Sequence, residues 1–127
     1  MGQKIMKILL DSVILIDHFN GIDKATHYIE THQQDILISV ITRAEVLVGF
    51  DSNSVISAKD LLDYFPVIPI TKDDADLAAE LRRDYRWKLT DALQIAISKN
   101  HKLKFVTRNT KDFNPKEHNF ILIPYQQ

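Results

Sequence analysis

The chain has 127 residues, of which 45% are hydrophobic, and its formal net charge is −1. This length supplies one well-buried core and is too short for two ordinary domains, so we expect a single domain over residues 1–127. The absence of cysteine excludes disulfides, thiolate metal sites and thiol nucleophiles. No apolar run is long enough to cross a membrane, which favours a soluble cytoplasmic protein.

Five short apolar runs predict buried strands. In chain order they are residues 7–10, 36–40, 67–70, 103–106 and 120–123. Helical spacing of apolar residues predicts two short helices around Gly21, then helices over residues 46–50, 55–65, 71–81 and 92–97. Strands that alternate with helices predict an α/β fold, with a parallel sheet of about five strands and helices on both faces.

Four acidic residues follow the predicted strands at the edge where parallel sheets bind their ligands. Asp11 ends the first strand, and Glu45 lies in the opening turn of the helix after the second strand. Asp91 begins the last helix, and Asp112 follows the strand at 103–106 within one short loop. Because these positions share one edge of the sheet, we expect the four carboxylates to lie close together.

Three of these acids also have a structural explanation. The segment Thr42–Glu45 has the spacing of a capping box, and Asp91 suits the preference for negative charge in the first turn of a helix. Asp112 fits a turn before Asn114. Asp11 has no such explanation, because it follows an apolar strand, needs no helix cap there and has no basic neighbour in the sequence.

Carboxylates that converge in a crevice repel one another, so a cation is expected among them. Oxygen ligands favour Mg²⁺ or Mn²⁺ over zinc or copper. The five histidines show no paired metal-ligand spacing and are interpreted as surface or loop residues. A P-loop, a dinucleotide fingerprint and a G-x-S-x-G elbow are all absent from the sequence. The chemistry that remains is metal-assisted hydrolysis, in which a metal lowers the pKa of a bound water.

Charge is distributed unevenly along the chain. Residues 1–81 hold 6 Lys and Arg against 13 Asp and Glu, whereas residues 82–116 hold 10 against 3. The basic half, with Tyr85 and Trp87 between its charges, suits a single-stranded or looped nucleic acid. Ordinary charges on a solvated helix face explain the same pattern equally well. The candidate substrate contacts in this half are Arg82, Arg83 and Arg86.

Four segments in this order resemble the PIN-domain ribonucleases, in particular the VapC-type toxins of bacterial and archaeal toxin–antitoxin pairs. They are LLDSVILIDHFNG, ISVITRAEVLVG, KLTDALQIAIS and FVTRNTKDF. The resemblance implies a three-layer α/β/α fold in which Asp11, Glu45 and Asp91 bind Mg²⁺ or Mn²⁺ and activate water. It also implies cleavage of RNA, often tRNA or rRNA, a homodimer, and a small antitoxin whose C-terminal segment enters the groove.

The chain departs from the family pattern at two places. Many members carry an acid where this chain has Asn109, so Asp112 is the candidate fourth acid and Asn109 a polar or water-mediated ligand. The family often has Asn at the position of Val13, which leaves the hydroxyls of Ser12 and Thr107 to orient ligands or substrate.

Several alternatives and smaller predictions remain open. Because Asn109 stands where many members have an acid, one alternative is a catalytically impaired PIN module that binds RNA or protein. A phosphoacceptor signalling domain is disfavoured, because the third strand reads VIPITKDD and offers no suitable aspartate. Asp17 is predicted to face solvent beside His18. The dimer is expected to bury the fourth helix through its apolar residues Val55, Ile56, Leu61 and Leu62.

Overall fold

A computed structural model describes residues 7–126, and five strands form its central sheet. The strands are β1 (Ile8–Leu10), β2 (Ile36–Ser39), β3 (Val67–Ile68), β4 (Lys104–Val106) and β5 (Ile121–Leu122). The helices are α1 (Ser12–Phe19), α2 (Asp23–His32), α3 (Val40–Leu47), α4 (Val55–Leu62), α5 (Lys72–Tyr85) and α6 (Leu89–Asn100). Each strand lies within its predicted run.

The sheet is parallel throughout and has the order β3-β2-β1-β4-β5. The central strand β1 pairs with β2, where Ile8 faces Ile36, and with β4, where Leu9 faces Phe105. A strand in the middle of a parallel sheet is covered on both faces and is therefore apolar along its length. This position explains the uninterrupted apolar run before Asp11.

Successive residues of β1 point into two separate cores. Leu9 packs in a cluster with α5 and α6, which contribute Ala78 and Ile95 among others. Ile8 and Leu10 pack in the opposite cluster, which α1 to α4 complete. Helices therefore cover both faces of the sheet, and the predicted three-layer α/β/α fold is confirmed.

The structure corrects two predictions about helix caps. The cap residue of α3 is Ser39, whose hydroxyl accepts the Thr42 N–H at 3.1 Å. Because β2 passes directly into α3, Thr42 lies in the first turn and Glu45 lies beyond it, so the capping box predicted there is wrong. Asp11 does occupy the cap position of α1, but its side chain makes no cap hydrogen bond. A capping box forms instead at α5, between Thr71 and Asp74.

Within residues 7–126, every helix is too short or too polar to span a bilayer.

Candidate active site

A cavity of about 400 Å³ opens at the carboxyl edge of the sheet. Three of the four predicted acids line it: Asp11 between β1 and α1, Glu45 on α3, and Asp91 in the first turn of α6. The other lining residues are Ser12, Val13, Arg108, Asn109, Thr110 and Lys111. The fold thus brings together carboxylates that are 34 and 46 residues apart along the chain.

The electrostatic environment of Asp11 and Asp91 is unfavourable for their charged forms. Burial raises the pKa of Asp11, and the charge of Glu45 raises it further, against the opposing hydrogen bond from Thr107. Burial likewise raises the pKa of Asp91, and the charges of Asp11 and Asp112 add to that effect. The charge of a neighbouring carboxylate therefore raises the pKa of both Asp11 and Asp91.

Within the part of the chain that the structure describes, no basic side chain pairs directly with this cluster. Among residues 7–126, the arginine and lysine ion pairs join Arg43 to Asp63 and Arg108 to Asp17, and none reaches the three pocket acids. Lys88 lowers the pKa of Asp91 through its charge, but burial outweighs this effect. A negative pocket with this donor set suits a hard divalent cation.

The acids share a pocket without forming a complete ligand cage. Within the described residues, no group of three Asp, Glu, His or Cys side chains is arranged so that it could hold a metal ion. The sequence predicts four carboxylates close together, and three of them, Asp11, Glu45 and Asp91, share one cavity without being arranged as a ligand group. The oxygen donors and the mutual repulsion fit a divalent cation, and the side chains must draw together to coordinate one.

Thr107 orients Asp11. Its hydroxyl donates to Asp11 Oδ2 at 2.7 Å and accepts the Asn109 N–H at 3.1 Å. Ser12 makes a longer contact of 3.4 Å with Asp11 Oδ1. Thr107 is predicted from the sequence to orient either metal ligands or substrate. Because it is fully buried, it can orient the candidate ligand Asp11 and cannot contact a substrate.

Asp112 lies outside the cavity lining, at its rim. The Asn109 side chain donates to Asp112 Oδ2 at 3.0 Å, and the Asp112 N–H donates to Asn109 Oδ1 at 3.2 Å. These two bonds close the loop after β4, as expected of a turn-stabilising aspartate. Asp112 is exposed and still acts on Asp91 through its charge.

Sequence reasoning missed a buried polar network beneath the pocket. Ser39 donates to Gln94 Oε1 at 2.5 Å, and Gln94 Nε2 donates to the Thr42 hydroxyl at 2.6 Å. Thr42 in turn donates to the Leu10 carbonyl at 3.3 Å. All three polar side chains are at most 1% exposed.

This network joins the three elements that carry the acids. Leu10 precedes Asp11, Thr42 precedes Glu45 by three residues, and Gln94 follows Asp91 by three residues. The network therefore fixes α3 and α6 relative to β1. The available signal in the sequence was a glutamine on the mostly apolar buried face of α6.

The structure also contradicts the prediction for Asp17, which is only 5% exposed. Arg108 Nε donates to Asp17 Oδ2 at 2.6 Å, and Arg108 Nη2 donates to Oδ1 at 2.9 Å. Tyr125 donates its hydroxyl to Asp17 Oδ2 at 2.8 Å. Asp17 is buried because partners 91 and 108 residues away in the chain converge on it.

The predicted arginine contacts line a second cavity, of about 580 Å³, which Ala79 and Leu89 complete. Arg83 and Arg86 are exposed, and Arg82 donates to the Trp87 carbonyl. No lining residue of this cavity belongs to the acid pocket. The arginines therefore form a separate basic surface.

Trp87 does not present a stacking face to solvent. It is 7% exposed, stacks on Tyr85 with ring centroids 4.5 Å apart, and donates its indole N–H to the Asp112 carbonyl at 3.1 Å. Arg86 has a left-handed conformation with φ of 59°, and this reversal returns the chain to the core. His118 packs edge-on against Trp87 and is 9% exposed, so this histidine lies in a loop but is buried there.

Comparison with known proteins agrees with this fold. A profile of the PIN domain matches residues 8–117. A toxin–antitoxin complex from Klebsiella pneumoniae contains a chain that is 35% identical, with a TM-score of 0.88, and the match covers 95% of this chain and 100% of that chain. A search of curated proteins found no match.

Two further solved structures are similar at lower identity. FitAcB from Neisseria gonorrhoeae has a TM-score of 0.76 at 20% identity over 94% of this chain and 99% of that chain. VapBC2 from Rickettsia felis, bound to a fragment of its promoter DNA, has a TM-score of 0.75 at 22% identity over 92% and 96%. These two likenesses show the fold alone. With the profile and the Klebsiella structure, they confirm the resemblance found in the sequence: the chain belongs to the PIN domain family.

Proposed function

We propose that this protein is the toxin of a toxin–antitoxin pair and a Mg²⁺- or Mn²⁺-dependent endoribonuclease. The observation that supports the activity is the shared pocket of the partly buried Asp11, Glu45 and Asp91, in which Glu45 raises the pKa of Asp11 and Asp11 raises the pKa of Asp91. The similarity to a toxin–antitoxin complex supports the biological role. An RNA substrate fits the expected cytoplasmic location.

In this proposal Asp11, Glu45 and Asp91 hold the divalent cation, with Asn109 and Asp112 beside them at the rim. The bound cation supplies a water of lowered pKa and polarises the scissile phosphate. Thr107 keeps the Asp11 carboxylate in one orientation through its hydroxyl. The Gln94 network holds α3 and α6 so that Glu45 and Asp91 keep their spacing.

The RNA, for which tRNA or rRNA is the expected class, would be attracted by the basic surface. Arg82, Arg83 and Arg86 lie at the end of α5, and α6 begins three residues later and carries Asp91 in its first turn. Arginines near the site would add phosphate contacts that weaken as salt rises. Trp87 takes no part in base stacking, because it is buried.

The proposed partners are a cognate antitoxin and a second copy of the chain. Three apolar side chains are unusually exposed: Val48 at the end of α3 by 86%, Ile56 on α4 by 66% and Tyr64 just after α4 by 60%. Leu62 is fully buried in the core of its own chain. Leu62 therefore cannot belong to the dimer surface expected on α4. The proposed dimer surface includes only exposed residues such as Ile56.

The test is cleavage of a structured RNA by the purified protein with Mn²⁺, compared with the Asp91→Asn variant. We expect the wild-type protein to cut and the variant to lose both cleavage and Mn²⁺ affinity. Asp76→Asn, at an exposed position on α5 that lines neither cavity, is the matched control and should behave as wild type. Intact RNA together with unchanged metal affinity in Asp91→Asn would contradict the proposal, and RNA binding without cleavage would favour the impaired module.

A further inference from the structure

Arg108 is placed where it could neutralise the acid pocket, and it does not do so. It lines the same cavity as Asp11, Glu45 and Asp91. Both of its hydrogen-bonded nitrogens instead donate to Asp17, at 2.6 and 2.9 Å. The guanidinium is therefore held on one side of the cavity by an acid that does not line it.

The contact with Asp17 has the features of a strong clamp. The two nitrogens meet the two carboxylate oxygens as a two-pronged pair, a geometry that arginine forms and lysine cannot. Only 7% of the Asp17 side chain and 32% of the Arg108 side chain are exposed, so solvent screens the pair little. The Tyr125 hydroxyl donates a third hydrogen bond to Asp17 and occupies a further lone pair of Oδ2.

Without its bond to Asp17, the Arg108 side chain would be near the other carboxylates that line the same cavity. Its neighbour Thr107 donates directly to Asp11, so the backbone at Arg108 lies beside the pocket. Its long side chain would then meet the carboxyl groups of Asp11 and Asp91, which have no direct ion-pair partner among the described residues. An arginine bound there would compete with any cation for the same oxygens.

We propose that Asp17 is a positioning residue that holds the Arg108 guanidinium away from Asp11 and Asp91, and so keeps the pocket free to bind a divalent cation. The inference rests on the proposed metal-dependent function. If Asp17 acts only by holding Arg108, then Asp17 should no longer matter for metal binding once Arg108 is removed.

The test compares Mn²⁺ affinity, measured by calorimetry, in wild type, Asp17→Asn, Arg108→Gln and the double variant. We expect Asp17→Asn to bind Mn²⁺ about tenfold more weakly, the scale of one added ion pair near a protein surface. The double variant should recover the affinity of Arg108→Gln. An Asp17→Asn variant with normal affinity, or a double variant as weak as Asp17→Asn, would overturn the inference.

A crystal structure of metal-free Asp17→Asn separates this inference from the proposed function. We expect the Arg108 guanidinium on Asp11 or Asp91 in that structure, and a guanidinium that stays beside position 17 or turns to solvent would overturn the clamp. This result is decisive even if wild type neither binds Mn²⁺ nor cuts RNA, an outcome that would reject the proposed function instead.

If Asp17→Asn does not fold, Arg108→Lys replaces it. Lysine keeps the positive charge but loses the two-pronged bond to Asp17, so it should be free to enter the pocket for part of the time. We expect Arg108→Lys to bind Mn²⁺ more weakly than Arg108→Gln, although lysine is the more conservative change. Equal or tighter binding by Arg108→Lys would contradict the inference.

Discussion

Asp11 and Asp17 lie six residues apart, and consecutive residues of the loop after β4 bind them. Thr107 donates a hydroxyl to Asp11, and Arg108 donates a guanidinium to Asp17. Burial raises the pKa of Asp11, whereas the bond from Arg108 lowers the pKa of Asp17. Two aspartates on one short helix thus have opposite electrostatic environments.

The difference shows what separates a reactive carboxylate from a structural one in this protein. A neutral hydroxyl orients Asp11 and leaves its charge uncompensated, so the side chain can bind a cation. The Arg108 guanidinium compensates the charge of Asp17, and the Tyr125 hydroxyl donates a further hydrogen bond to the same carboxylate. Proximity in the sequence does not distinguish the two, because the distinguishing residues come from a distant loop.

The largest expected effect is that of Asp11→Asn. Asparagine still accepts the Thr107 hydrogen bond but loses the charge, so RNA cleavage should fall about a hundredfold or more, roughly 2.7 kcal/mol in the barrier. Because folding raises the pKa of Asp11, the ionised Asp11 carboxylate lowers the free energy of unfolding at neutral pH, and this effect disappears below the ordinary pKa. Denaturant unfolding should therefore show that the variant is more stable than wild type at pH 7. A less stable variant would contradict the contrast drawn between Asp11 and Asp17.

The second prediction concerns Asp17→Asn, which should lose stability. Removing one partner of the buried pair with Arg108 should cost about 2 kcal/mol at pH 7. The pKa of Asp17 is lowered from 3.8, so its contribution is present above that value and is lost as pH falls through the lower folded pKa. The unfolding free energies of wild type and variant should therefore differ by a constant amount from pH 7 to about pH 4 and approach each other below it, and a difference that stays constant down to about pH 2 would contradict the assignment.

Thr107→Val should have a smaller effect, on activity more than on stability. Valine is similar in shape and removes the hydroxyl that orients Asp11, so cleavage should fall about tenfold, roughly 1.4 kcal/mol. The hydrogen bond from Thr107 lowers the pKa of Asp11, so its loss should move the acidic limb of the pH–rate profile to higher pH. A profile that drops in height without moving would mean that Thr107 acts by packing alone.

The smallest effect is expected for Tyr125→Phe, which removes one hydrogen bond to Asp17 and leaves the bonds from Arg108 in place. Thermal unfolding should show a loss of about 1 kcal/mol. Cleavage and Mn²⁺ affinity should stay at the wild-type level. A large loss of metal affinity would indicate that Tyr125, rather than Arg108, dominates the environment of Asp17.

The features that sequence reasoning predicted correctly have local signals. Apolar runs located all five strands, and strand–helix alternation placed Asp11, Glu45 and Asp91 at one sheet edge before any contact was known. The features it missed depend on distant partners. Nothing near Asp17 indicates Arg108 or Tyr125, and nothing near Gln94 indicates Ser39 or Thr42. Ser39 as the cap of α3 was missed because the strand passes into the helix without a loop.

The buried hydrogen bonds among Ser39, Thr42 and Gln94 should make the geometry of the pocket insensitive to pH and salt. None of these side chains titrates in the physiological range or carries a charge that dissolved ions could screen. The separation of α3 and α6 should therefore stay constant across changes in acidity and ionic strength that alter the protonation of the acids above it. Changes in pH or salt would then alter how much of the protein has a cation bound in the pocket, while the spacing of α3 and α6 stays the same.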